Sequence, residues 1–198
     1  MRKLYDLENL IRVKRYAGTL IVIPESVSDH VSCMNALAFE YIPKLNEMLE
    51  PSEQFDIKEL IYAISIHDID EAFTTDVPRT FKHKTREIEA VIKHASDQIL
   101  IEHLGQSFVD EIDRVEDRSK PLGVLLKIID VSQCGYKMKQ EISIGNSIMK
   151  SEIDNVITTL EEWRDWLSEP VESFTNNQRK ALRWLCKEFL EDFYDAKK

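Results

Sequence analysis

The chain has 198 residues, with 26 Lys+Arg against 36 Asp+Glu for a formal charge of −10. That length fits one domain with a full core, and 43% hydrophobic with 31% charged residues excludes disordered, collagenous and coiled-coil classes. The acidic balance also excludes a binder of long nucleic acid, which needs a broad basic face to displace counterions; a small phosphate ester held by a few local cations remains compatible.

Five glycines and six prolines supply few turns, which suits long helices. Asp6 to Tyr16, with Leu7, Leu10, Ile11 and Val13, predicts a short first helix. Ala17-Gly18-Thr19 breaks it, and Leu20 to Pro24 reads as extended. Ser26 or Ser28 caps a helix running through Leu49, with Val27, Val31, Met34, Leu37, Ala38, Tyr41, Leu45 and Met48 on one face. Next, Ile57 to His67 turns Leu60, Ile61, Ala63 and Ile64 inward. Residues 68–81 read as irregular, and a helix from His83 to Leu104 stops at Gly105. After a shorter helix over Phe108 to Val115, Lys120 to Ile144 predicts a long one with Pro121 in its first turn and Gly145 at its end. Helices near 147–168 and 175–195, separated by Pro170, complete an all-α chain. The expected organisation is one bundle over residues 1–170, with a C-terminal helix within 171–198 packed on the same domain.

Four polar residues sit where such helices should be apolar. His67 follows Ala63 by four positions and Leu60 by seven, so its ring faces the core. A lone core histidine satisfied by one hydrogen bond is the ordinary reading. Asp68 beside it changes that, because a buried carboxylate needs a cation or donors, and His with Asp suits a divalent metal. His30 lies among Val27, Val31 and Met34, and Asp130 interrupts the apolar run from Gly123 to Val131. A buried charge of that kind calls for a metal or an arginine.

The order His30, His67-Asp68, Asp130 resembles the pattern of HD-domain metal-dependent phosphohydrolases. More narrowly, the chain resembles the bacterial and phage 5′-deoxynucleotidase (YfbR-like) family, through Arg15-Tyr16, Glu25-Ser-Val-Ser-Asp-His30, His67-Asp-Ile-Asp-Glu71, Thr75-Asp-Val-Pro78, Lys82 and Lys127-Ile-Ile-Asp130. The match spans roughly residues 5–168. The resemblance implies a single all-α HD-domain bundle, a homodimer, and one divalent metal ion (Co²⁺, Mn²⁺ or Mg²⁺) on His30, His67, Asp68 and Asp130. It further implies hydrolysis of 2′-deoxynucleoside 5′-monophosphates to deoxynucleoside and phosphate. The chain departs from that family at Tyr16, where tryptophan is usual near the sugar. Related phage enzymes hydrolyse deoxynucleoside triphosphates such as dATP, so that activity is the nearest alternative, and a non-catalytic nucleotide sensor is an alternative of another class.

Within that reading, Glu71 lies one helical turn from Asp68 and is the candidate general acid or base, against a plain solvated carboxylate. Asp76 is a second catalytic or sugar-binding candidate, or a turn cap. Arg15 can grip phosphate bidentately, Tyr16 walls the sugar, and Lys82 and Lys127 add phosphate contacts. Arg79, His83 and Lys84 read as solvated, His94 and His103 as surface residues, and Trp163, Trp166 and Trp184 as core or subunit contacts. Cys33, Cys134 and Cys186 show no CxxC spacing and read as structural thiols. Acids at Asp6 and Glu8 argue against a signal peptide, and no apolar run approaches the ~18 residues of a membrane span. A cytoplasmic protein, of a bacterium or a phage-infected cell, without membrane partners is therefore expected.

Overall fold

A computed structural model describes residues 8–16, 18–77 and 84–196, so the expected phosphate contact Lys82 and the solvated Arg79 and His83 lie outside the described residues. Helices begin where the chain supplies caps. Ser26 accepts the Asp29 N–H while the Asp29 carboxylate accepts the Ser26 N–H, a reciprocal box that starts α1 (Val27–Asn46). Asp56 accepts the Lys58 N–H at the start of α2 (Ile57–Ile66), and α3 is a single turn, Glu71–Thr74. Thr85 caps α4 (Arg86–Leu104), and Gly105 at φ +95° turns the chain directly into α5 (Gln106–Glu116). Pro121 opens α6 (Pro121–Ser143), which is followed by α7 (Met149–Trp166) and α8 (Asn176–Asp195).

The described residues contain no strand, in keeping with the all-α expectation. Three local readings change, the first being that residues 68–81, read as irregular, contain the α3 turn Glu71–Thr74. In place of a first helix there is a 3-10 turn at Glu8–Ile11. Beyond it the backbone pairs across the chain: the Arg15 N–H donates to the Glu25 carbonyl and the Val27 N–H to the Val13 carbonyl, around a Lys14–Ser26 bridge. Those tertiary bonds replace the ones a helix would have made. Leu20 to Pro24 is a loop rather than a strand, because the Val22 and Ile23 N–H groups donate to the Glu141 carboxylate at 2.8 and 2.9 Å.

The core is organised around α6, which packs against α1, α2, α5, α7 and α8 and buries Val124, Leu125, Ile128 and Ile129. Gly135 lets α8 approach closely: a Cβ there would lie 2.4 Å from the Phe193 ring. Phe189 and Phe193 are fully buried, and Phe189 meets Tyr41 of α1 edge-on at 4.8 Å, so α8 shares the core of the bundle. Arg179 closes the end of α7 by donating to the carbonyls of Leu167, Ser168 and Glu169. Trp163 and Trp166 stand edge-on at 5.3 Å, and Trp184 lies 6.4 Å from Tyr41. Among the described residues, no helix is long and apolar enough to cross a membrane.

Candidate metal centre

The capping box of α1 sets the register that brings His30 inward, where it is wholly buried. His67 is the C-cap of α2, directly after a face of fully buried Leu60, Ala63 and Ile64, and Asp68 follows it. Asp130 faces both from the middle of α6. His30 Nε2 lies 3.6 Å from Asp68 Oδ2 and 3.4 Å from Asp130 Oδ1, and His67 Nε2 is 3.1 Å from Asp68 Oδ2. Ligand atoms of His30, His67 and Asp68 all fall within 4.8 Å of one another. Asp130 joins them through one oxygen, while its other takes the Lys127 ammonium at 2.5 Å.

Hydrogen bonds fix which imidazole nitrogens face the carboxylates. His67 Nδ1 is 2.8 Å from the Ile64 carbonyl, which can only accept, so Nδ1 carries the proton. His30 Nδ1 meets Gln133 Oε1, and Gln133 Nε2 donates to Glu25 Oε2 at 3.1 Å, which sets the amide orientation. Both Nε2 atoms are left buried with no hydrogen-bond partner. Two such imidazole nitrogens facing two carboxylates fit a divalent cation, which would take the place of the second His67 proton. The electrostatics agree. Burial opposes a charged His67, yet Asp68, helped by Asp130, raises its pKa to about 9. Burial likewise opposes the Asp68 carboxylate, but His67 and His30 hold it well below the usual range. The pocket attracts positive charge.

Arg15 and Glu71 sit beside this cluster. Arg15 Nη2 donates to Cys134 Sγ at 3.4 Å and Nε lies 3.9 Å from Glu25 Oε1, while Nη1 is buried without a partner. Glu71 donates its N–H to the Asp68 carbonyl, and its Oε2 is buried and unpartnered. Burial, then the Asp68 and Asp76 carboxylates, push the Glu71 carboxyl up to about 9 against the pull of Arg15. Tyr16, at φ 65°, donates its N–H to Asp76 Oδ2 at 3.0 Å, and Thr75 beside Asp76 has φ 67°. The bond latches two loops, each with a positive-φ residue beside it, Tyr16 itself on one side and the neighbour of Asp76 on the other, at ~1–3 kcal/mol each. Of the ten buried side-chain polar atoms without a hydrogen-bond partner among the described residues, six belong here: Arg15 Nη1, Tyr16 Oη, Glu25 Oε1, His30 Nε2, His67 Nε2 and Glu71 Oε2. Such a concentration suits a polar ligand or ion.

A cavity of about 450 Å³ opens against His67, Asp68, Lys127 and Asp130, within the range of small-molecule sites. Its wall carries seven carboxylates (Asp68, Asp70, Glu89, Asp97, Asp113, Glu116 and Asp130) against the cations Lys93, Arg118 and Lys127. His103 stacks on Phe73 at 4.5 Å, away from the ligand cluster. Sequence reasoning missed Gln133, Cys134 and the buried role of Glu25. A signal was present: Asp130, Gln133, Lys137 and Glu141 follow one another at intervals of 3, 4 and 4, one polar stripe along an apolar helix.

The family model of YfbR-like 5′-deoxynucleotidases matches residues 4–182. No curated protein matches the chain in sequence. Among solved structures, an HD-domain phosphohydrolase from Listeria innocua is similar at TM-score 0.74 and 18% identity, covering 98% of this chain and 89% of that one. A conserved hypothetical protein from Pyrococcus furiosus matches at TM-score 0.73 and 19% identity, with 96% and 98% covered. The cyanophage S-2L HD phosphohydrolase DatZ, bound to dA and one catalytic Zn²⁺ ion, matches at TM-score 0.61 and 12% identity over 95% and 96%. These likenesses bear out the HD-domain bundle.

Proposed function

Because the chain belongs to the YfbR-like 5′-deoxynucleotidase family, and is an HD-domain hydrolase, we propose that it removes the 5′-phosphate of 2′-deoxynucleoside monophosphates in a divalent-metal-dependent reaction. The observation that carries this reading is the pair of buried Nε2 atoms on His30 and His67 without a hydrogen-bond partner, gathered with Asp68 within 4.8 Å. His30, His67, Asp68 and Asp130 are the residues that would hold the ion. Two imidazoles with two carboxylates favour Mn²⁺, Co²⁺ or Zn²⁺ over Mg²⁺, and Zn²⁺ is the ion named in the cyanophage relative. When bound, the ion supplies Lewis-acid charge at a phosphoryl oxygen and lowers the pKa of water.

The remaining steps belong to side chains. Arg15 directs its unpartnered Nη1 to a non-bridging phosphate oxygen. Lys127, held on Asp130, adds positive charge at the cavity wall. Glu71 keeps a proton at neutral pH and delivers it to the 5′-oxygen as that P–O bond breaks and a water oxygen bonds to phosphorus; the nucleoside departs as an alcohol, and the proton released by the water returns Glu71 to its acid form. Asp76 spends one oxygen on the Tyr16 N–H and offers the other to a sugar hydroxyl, with Tyr16 as the aromatic wall. A homodimer belongs to the same proposal and is checked by light scattering.

Phosphate release from deoxy- and ribonucleoside mono- and triphosphates, after chelation and return of Mn²⁺ or Co²⁺, tests the reading. Turnover of deoxy monophosphates alone is expected. Hydrolysis of deoxynucleoside triphosphates is the second reading, since the dA in the cyanophage relative is the nucleoside that either reaction would release. Triphosphate-only turnover would establish that reading instead, and metal binding with no turnover would make the protein a sensor.

A further inference from the structure

Gln133 is a neutral side chain buried at the centre of the fold, and its only described polar contacts are His30 and Glu25. It lies one turn after Asp130 on α6, so the helix that carries one candidate ligand also carries the contact to another. A glutamine amide can face a histidine with either end. The NH₂ end would donate to Nδ1, leaving the ring proton on Nε2, where it would block a cation. The carbonyl end accepts from Nδ1–H and leaves Nε2 bare. Glu25 decides between the two: its carboxylate can only accept, so it takes the NH₂ group and turns the carbonyl toward His30. The same carboxylate faces Arg15 Nε at 3.9 Å through its other oxygen.

We propose that Gln133, oriented by Glu25, is a positioning residue that sets the His30 tautomer and aims its Nε2 at the cation, tying the metal centre to the phosphate-gripping Arg15. Histidine ligands commonly donate their second ring N–H to a carbonyl or carboxylate, and removal of that partner lowers metal affinity roughly 10- to 100-fold. Here the partner is an amide whose direction a separate anion dictates. The inference rests on the metal-dependent reading above, yet its first consequence is visible without metal.

Nitrogen-15 NMR of the metal-free protein, at a pH where the His30 ring is neutral, should show the proton on Nδ1 and a bare Nε2. A proton on Nε2 in the wild type would overturn the proposal. Calorimetric titration with Mn²⁺ then compares Gln133→Leu with Gln133→Glu. Leucine preserves the apolar packing and fold but removes the acceptor, and affinity should fall roughly 10- to 100-fold. Glutamate keeps the acceptor toward His30, shares a proton with the Glu25 carboxylate that it would face in place of the amide NH₂, and should retain more affinity than leucine. A merely structural role predicts the reverse order, because leucine suits a buried site better than an anion, so leucine binding as tightly as wild type refutes the inference. Failure of the wild type to bind Mn²⁺, Co²⁺ or Zn²⁺ while its tautomer is as stated would instead count against the metal-dependent reading alone.

Discussion

Glu141→Gln tests the anchoring of the loop that leads into the site. Glu141 is wholly buried and accepts from the Val22 and Ile23 N–H groups, the Lys137 ammonium and the Asn146 amide at 2.8 to 2.9 Å. Glutamine offers one acceptor oxygen in place of two and turns an NH₂ toward donors. Four charge-assisted bonds at ~1.5–3 kcal/mol each would sum above 6 kcal/mol, but they share one acceptor and are not independent. The controlling term is the Lys137 ammonium left buried without its anion, for which loss of one partner costs about 3–5 kcal/mol. Because Lys137 keeps the Ile23 carbonyl, the lower end applies, about 3 kcal/mol. An unfolding entropy of ~2.1 cal/mol/K per residue over 198 residues converts this to a fall of about 7 °C in Tm. Burial works against the Glu141 anion, yet Asn146, Lys137 and the two loop N–H groups hold its carboxyl down at about 2. A depressed carboxylate stabilises the fold above its unfolded value of ~4.3 and loses that contribution as pH falls through its folded value. The gap between wild type and variant should therefore be full near neutrality and close between about pH 4.3 and 2. Thermal unfolding followed by circular dichroism across that range measures both. A Tm loss under about 2 °C at neutral pH, or a gap that persists to pH 2, would refute the reasoning.

Glu71→Gln should lower kcat by roughly 10²- to 10⁴-fold while Mn²⁺ binding persists, as steady-state kinetics beside calorimetry would show. Arg15→Lys keeps the charge but loses the fork, and kcat/KM should fall roughly 10- to 150-fold for a lost charge-assisted bond of ~1.5–3 kcal/mol. With the His67 pKa raised to about 9 in the metal-free protein, Mn²⁺ must displace a proton at neutral pH. Calorimetry in buffers of different ionisation enthalpy should register that release, and affinity should climb with pH up to about 9. Gly135→Ala sets a methyl 2.4 Å from the Phe193 ring, an overpacking that costs ~1–3 kcal/mol, and denaturant unfolding should show that loss.

The candidate ligands were legible because each is an exception to its surroundings. His30 and Asp130 interrupt apolar helical faces, and His67 continues the buried stripe of Leu60 and Ala63, so periodicity alone aimed all three inward. Arg15 was legible through family resemblance, but its setting was not. The 3.6-residue spacing of Leu7 to Val13 suggested a helix, whereas the chain makes its bonds across to Glu25 and Val27, which local pattern does not encode. Gln133 escaped notice because a neutral amide raises no electrostatic alarm in a helix. Glu141 escaped because an acid shortly before Gly145 reads as a solvated helix end; its partners Val22 and Ile23 lie 119 and 118 residues away.

The polar stripe on α6 also constrains how this chain can change its length. Asp130, Gln133, Lys137 and Glu141 work as a set only while they share one face. A single inserted or deleted residue between Asp130 and Glu141 rotates everything beyond it by about 100° about the helix axis. Gln133 and His30, or Lys137, Glu141 and the Val22–Ile23 loop, would then part in one step, and a change before Gly135 would also carry that residue from under Phe193. No substitution elsewhere on α6 could restore them together. Tolerance to insertion should therefore be lowest along these three turns and return only beyond Asn146, whose amide still donates to Glu141 and to the Leu20 carbonyl.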